Sequence, residues 1–280
     1  MIRIITDSTS DLSREACEKL GVEAVPISVH FGSESFRDGI DITHAEFYRR
    51  LAQSETLPTT SQLNPDELAN LFRSCRDGGD EVVGIFLSGD LSGTLQSAQI
   101  AREMAGSEGI YIVDSRNATF ALGLLVERAA ALRDQGMNAA ELAGTIRELA
   151  GRLRLIAVVD TLKYLKMGGR ISAATAMVGG ILGISPIVAV EDGKVEAVGK
   201  ARGRQAALRW IEERLARQDI DLSLPIAFGH SHCEEALRDC MEYFSALRTQ
   251  ASHVLIGSLG SAIGTHVGPG AVGLAYFLKK

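Results

Sequence analysis

The stretch EVVGIFLSGDLSGTLQSA, residues 81–98, decides how the chain is read. EVVGIFL has the length and apolar content of a buried strand. LSGTLQSA, residues 91–98, opens a helix. Two small hydroxyl residues and a glycine at that mouth leave backbone N–H groups open to a partner, and such a helix start suits an anion. The same strand-to-helix alternation continues on both sides. IRIITD and VEAVPISVHF read as strands, with the helix SDLSREACEKLG between them ending at Gly21. Thr43 and Glu46 form a capping box before EFYRRLAQ. Asn64, Pro65 and Glu67 stand as cap, first-turn proline and capping glutamate of a helix that stops at Gly78-Gly79. IYIVD and the long helical TFALGLLVERAAALRDQ follow. Strands that alternate with helices pair in parallel, so the first part is an α/β layer with a mostly parallel sheet flanked by helices.

The chain changes character near Arg152. LRLIAVVD is a strand and KYLKMGG one or two helical turns. PIVAVEDGKVEAVGKARG reads as two strands joined at Asp192-Gly193, a good hairpin turn. RQAALRWIEERLARQ is an amphipathic helix. PIAFGH, a helix over residues 234–247 and HVLIGSLG make a βαβ-like unit, and GAVGLAYFL is a last strand. The expected organisation is an α/β fold of two domains, residues 1–152 and residues 153–280, the second α+β.

At 280 residues and 46% apolar content the chain can bury a sizeable core. No run is long enough to span a membrane; the closest, AMVGGILGISPIVAV, is interrupted by glycines and a proline. The first residues carry no signal-peptide pattern, and the four cysteines lack C-x-x-C spacing. A cytoplasmic protein with reduced thiols is expected. The net charge of −6 argues against a general nucleic-acid binder. Residues 151–210 nevertheless carry ten Lys/Arg against four Asp/Glu, an asymmetry that can mark a site for an anion or an acidic partner.

Polar clusters fall where strands end, the usual ligand edge of an α/β sheet: TDSTSD (6–11), PTTSQ (58–62), LSGDLSGT (87–94) and VDS (113–115). Each alone is ordinary capping chemistry. Together they offer hydroxyls and N–H groups to an anion. Ser92 is not in a G-x-S-x-G elbow, and neither a phosphate-loop nor a dinucleotide fingerprint is present. HSHC (230–233) places two imidazoles at i, i+2, but no third and fourth ligand can be named, so a hydrogen-bonded strand-end histidine is expected rather than zinc. TLKYLKMGGRIS (161–172) carries Arg170 after paired glycines. GTHVGPGAVG (264–273) sets His266 in what reads as a tight glycine-rich loop. With Arg202 of GKARGRQ, the second part supplies two arginines and a histidine, a set suited to an oxyanion or phosphoryl group.

DSTSDL, TTSQ, LSGTLQSA, VDS, TLKYLKMGGRIS, GK.R and H.GPGAVG occur in this order over essentially the whole chain. In this the sequence resembles the DegV family of fatty-acid-binding proteins. The resemblance implies two domains enclosing one long-chain fatty acid between them. It also implies a role beside a separate ATP-dependent kinase subunit, to which the acyl carboxylate is presented for acyl phosphate formation in phospholipid synthesis. Carried over by motif, Thr60, Ser61, Ser92, Gly93, Thr94 and His266 hold the carboxylate, and Arg170 and Arg202 lie at the phosphotransfer face. No cofactor is implied; ATP and metal belong to the partner. The expected partners are the fatty acid, the kinase subunit and, transiently, a membrane surface, with no nucleic acid. The physics agrees: the anion needs N–H and O–H donors, and a sixteen-carbon tail in a dry tunnel gains on the order of 10 kcal/mol before ordering losses. AMVGGILGISPIVAV is a candidate wall. Two rivals remain at this stage. One is a serine hydrolase using Ser92 or Ser61 with His266, which lacks an identifiable third member. The other is a small-molecule kinase subunit holding a hydroxyketone covalently on His266.

Overall fold

The computed structural model describes residues 1–171 and 183–280. The first sheet is wholly parallel. It consists of β1 (Ile2–Asp7), β2 (Val22–Val25), β6 (Glu81–Phe86) and β7 (Ile110–Asp114) in the order β2-β1-β6-β7. A small antiparallel sheet, β3 (Ser28–Phe31), β4 (Glu34–Arg37) and β5 (Thr59–Ser61), sits beside it in the order β4-β3-β5. The second sheet is mixed: β8 (Leu153–Val158), β9 (Ile184–Glu191), β10 (Lys194–Arg202), β11 (Ile226–His230), β12 (Val254–Ser258) and β13 (Val272–Phe277), ordered β10-β9-β8-β13-β11-β12. Among the described residues only β11 and β12 pair in parallel there. The parallel, helix-flanked first unit follows from the alternation read in the sequence, and the mixed second sheet agrees with the α+β reading of the rest.

Local signals work where they act within one element. Ser13, Thr43, Asn64 and Asn138 each accept a backbone N–H at the start of their helices. Asp192 and Gly193, both at positive φ (50° and 86°), turn β9 into β10. Other expectations give way to longer-range forces. VEAVPISVHF is not one strand: Pro26, which has no N–H for a ladder, separates β2 from β3, and the two join different sheets. PTTSQ is not only a lead-in to a helix, because three of its residues form β5. The helix expected over 234–247 is two, Glu234–Tyr243 and Ser245–Gln250. A further helix, Ala139–Arg152, precedes β8.

The helix Thr119–Asp134 explains how the two sheets are joined. It is apolar on nearly every side and buried along most of its length. Such a helix must be covered all round. β1 and β6 cover one side, and β8, β11, β12 and β13 cover the other. At its first turn Phe120 lies against Gly229 and Gly257, register partners in β11 and β12. A Cβ at Gly229 would fall 2.0 Å from the Phe120 ring, and one at Gly257 2.6 Å from its Cβ. Glycine is required at both points to let the helix approach the sheet.

Gly229→Val should therefore cost about 1–3 kcal/mol in urea unfolding through overpacking. Gly144, exposed in the helix Ala139–Arg152 with nothing within 4 Å of its would-be Cβ, is the control. Gly144→Ala should gain up to about 1 kcal/mol.

Candidate functional site

An apolar cavity lies between the first sheet's loops and the face of the second sheet. Its walls are almost wholly apolar. Leu155, Ala157 and Val159, Val188 and Val190, and Val195 come from β8, β9 and β10 or their ends, and Leu259, Ala262 and Ile263 from the segment after β12. Thr60, Ser61, Ser92, Arg170 and His266 also line it. Of the segment proposed as a tunnel wall, residues 176–182 lie outside the described residues. Its remainder forms most of β9, with Val188 and Val190 at the cavity.

His266 is not in a loop. It lies in the last turn of a short helix, Ser261–Val267. Nothing in the sequence SAIGTHV favours a helix there; two distant carboxylates fasten its start. Asp11 accepts the Gly260 N–H at 2.9 Å and Asp38 the Ser261 N–H at 2.8 Å, and Asp38 also accepts the Ser261 hydroxyl. The accepting oxygens satisfy donors that the helix start would otherwise leave open. So held, the helix brings His266 Nε2 to 3.0 Å from Thr60 Oγ1. Thr60 reaches it from β5, whose pairing with β3 sets Thr60 opposite Val29.

The electrostatics of this corner follow from burial. Desolvation, and then the positive charge of Arg170, lower the His266 pKa to about 4, so the ring is neutral at pH 7. Its Nδ1 has no hydrogen-bond partner among the described residues and faces Gly168, where a Cβ would come within 2.4 Å. Burial also lowers the pKa of Arg170. The Arg170 guanidinium donates from Nε to the Leu91 carbonyl at 3.2 Å and from Nη1 to the Gly168 carbonyl. It thereby links the loop after β6 to the segment before the cavity. A neutral imidazole, a hydroxyl and a half-buried cation meet at one place, a combination able to hold an anionic oxygen.

The expected residues are placed unequally. Thr60, His266, Arg170 and Ser92 come together at the cavity. Ser61 lines it, but its hydroxyl lies 3.1 Å from His30 Nε2. Gly93 and Thr94 are not in the lining: Gly93 lies under the Gln62 side chain, and Thr94 is buried. The helix Thr94–Ala105 starts with less open donor capacity than LSGT suggests, because Ser92 Oγ accepts the Thr94 N–H at 3.2 Å. The same hydroxyl donates to Thr94 Oγ1 at 3.1 Å, which fixes the Ser92 side chain. Arg202 is exposed at the end of β10, outside the lining. His230 is buried with its Nδ1 accepting the Cys233 N–H at 3.1 Å. His232 leaves the strand at positive φ and stacks on Tyr48. Among the described residues no group of three or more His, Cys, Asp or Glu could hold a metal.

Sequence reasoning did not find the carboxylates behind the site. TDSTSD was read as one of the clusters offered to an anion; Thr9 does line the cavity, while Asp7 accepts the Leu87 and Thr9 N–H groups and Asp11 holds the helix of His266. Asp38 carries no sequence signal at all. Only its partners Ser8 and Ser261, distant in the chain, reveal it.

Comparison with known proteins gives a consistent result. A family described as "Uncharacterised protein, DegV family" matches residues 1–279. A DegV domain-containing protein of Caldanaerobacter subterraneus subsp. tengcongensis is 37% identical over 287 residues, covering 100% of this chain and 99% of the relative. Among solved structures, a DegV family protein from Thermus thermophilus, described for its fatty acid binding, superposes with a TM-score of 0.90 at 31% identity over 99% of each chain. A stearic acid-binding protein from Eubacterium ventriosum superposes with a TM-score of 0.83 at 28% identity, covering 100% of this chain and 99% of the other. Matched from end to end in sequence and in fold, the chain belongs to the DegV family.

Proposed function

We propose that this protein binds one long-chain fatty acid between its two domains and presents the carboxylate to a separate ATP-dependent kinase subunit. The acyl phosphate so formed would feed phospholipid synthesis in the cytoplasm. The observation that carries the reading is the union of an apolar cavity with a polar cluster of Thr60, Ser92, Arg170 and His266. An aliphatic tail gains about 0.8 kcal/mol per buried CH₂ in such a space, and its charged end needs the donors that this cluster supplies. Relatives of known structure described as binding fatty acids support it.

The roles divide as follows. Thr60 donates a hydroxyl hydrogen bond to the carboxylate; Ser92 does so by turning its proton from Thr94 Oγ1 to the ligand, with Ser61 beside them, and Gly93 and Thr94 fix the turn that aims Ser92. His266, neutral, donates from Nε2 to Thr60 and so leaves the threonine proton for the ligand. Arg170 supplies positive charge as charge develops on the transferring phosphoryl group. Arg202, exposed, belongs to the surface the kinase subunit meets.

The hydrolase reading has less support. Ser92 bonds Thr94, Ser61 bonds His30, and the hydroxyl at His266 is that of Thr60. His266 Nδ1 has no orienting partner among the described residues.

Native mass spectrometry of the purified protein should show a non-covalent adduct of an acid of roughly sixteen to eighteen carbons, its tail buried among the apolar walls. A covalent adduct on His266, or no acid bound with better than micromolar affinity, would overturn the proposal. Thr60→Val and Ser92→Ala should each weaken binding about tenfold, the worth of one hydrogen bond to a charged group. Arg170→Ala should keep the lipid and lose phosphorylation by a supplied kinase subunit; loss of lipid instead would make Arg170 a carboxylate ligand. In delipidated protein, NMR should find His266 titrating near pH 4, and bound carboxylate should raise that value. Because the unfolded histidine titrates higher, near 6.5, the folded state binds fewer protons between the two values. Stability should therefore fall as pH drops from about 6.5 towards about 4, and His266→Gln should remove that part of the slope.

A further inference from the structure

The second sheet carries a row of small residues across its inner face. Register partners run from Gly257 in β12 to Gly229 in β11, Gly273 in β13, Ala157 in β8 and Val188 in β9. Directly paired residues point to the same side of a sheet, so this row is a shallow track. The cavity lies over Gly229, Gly273, Ala157 and Val188 but not over Gly257. Phe120 accounts for the difference. Its ring rests on Gly229 and its Cβ on Gly257, and the ring itself forms part of the cavity wall. The side chain is 3% exposed. The track is therefore continuous in the backbone and stopped by one aromatic ring.

We infer that Phe120 is the specificity-determining residue that sets the largest acyl tail the cavity accepts. The inference rests on the fatty-acid reading and adds to it the limit on tail size. Removing the ring opens an apolar hollow on the order of 100 Å³, which stays dry and takes apolar guests. That is room for a few methylenes, each close in size to a water's share of about 30 Å³. Ala157 is the counterpart in the open part of the track. A larger side chain there fills space that the tail uses, and its Cβ already lies 2.6 Å from a would-be Cβ on Gly273.

The test is displacement of cis-parinaric acid from delipidated protein by a series of saturated acids from C14 to C22. Phe120→Ala should raise the affinity for C20 and C22 relative to C16 by about tenfold or more, as several buried methylenes imply. Ala157→Val should shift the series the other way. Phe120→Leu, which keeps more of the core filled, gives the same reading in smaller measure if the alanine variant does not unfold cooperatively. A C22-to-C16 ratio equal to wild type in a folded Phe120 variant overturns the inference while leaving the fatty-acid reading intact. If wild type itself displaces the probe for none of the acids, the fatty-acid reading fails and this inference falls with it.

Discussion

Two carboxylates from the first half of the chain hold the start of a helix in the second. Asp11 and Asp38 accept the N–H groups of Gly260 and Ser261, and His266 stands at the other end of that helix. Without this contact a seven-residue segment rich in small and β-branched residues has little reason to be helical. Burial disfavours the charged form of Asp11, whose pKa is raised well above its ordinary value. Backbone and hydroxyl donors from both halves compensate that burial. Asp38 completes the arrangement by joining Ser8, near the end of the first strand, to Ser261. The position of the imidazole against Thr60 is thus a long-range property, set by the fit of one domain against the other.

The fold's alternation was legible because each signal was local. Ser13, Thr43 and Asn64 cap the helices they precede, and Asp192-Gly193 makes the hairpin it announces. The site was legible to a smaller extent. Thr60 and His266 are separated by 206 positions, and no spacing rule joins them; the ordered set of motifs did. The helix of His266 was misread as a loop because its caps come from Asp11 and Asp38, far away in sequence. β5 is three residues long and shows no period. The LSGT turn was read correctly as a helix start, but Ser92 takes the Thr94 N–H for itself, so side-chain hydroxyls matter more there than open backbone donors.

The loop after β6 is tied at both ends of its polar stretch. Ser88 donates to the carbonyl of Gly193 at the β9–β10 hairpin tip, at 2.8 Å. Three residues on, the Leu91 carbonyl accepts from Arg170. Ser92 therefore directly follows a stretch held at two points by second-domain groups. The ion pairs nearby, Lys194 with Asp90 and Arg116 with Asp192, are solvent-exposed and add little energy. The buried hydroxyl–carbonyl bond carries more of the constraint.

The helix Thr119–Asp134 also bears on how the chain comes into being. It is made before the second sheet, yet half of its apolar surface has no cover until β8, β11, β12 and β13 are in place. At about 5–20 residues per second the rest of the chain takes on the order of ten seconds to emerge. For that interval a nascent first domain displays the Phe120 side of a greasy helix. Its yield in the cell therefore depends on what shields that face during synthesis, a requirement that the finished molecule no longer shows.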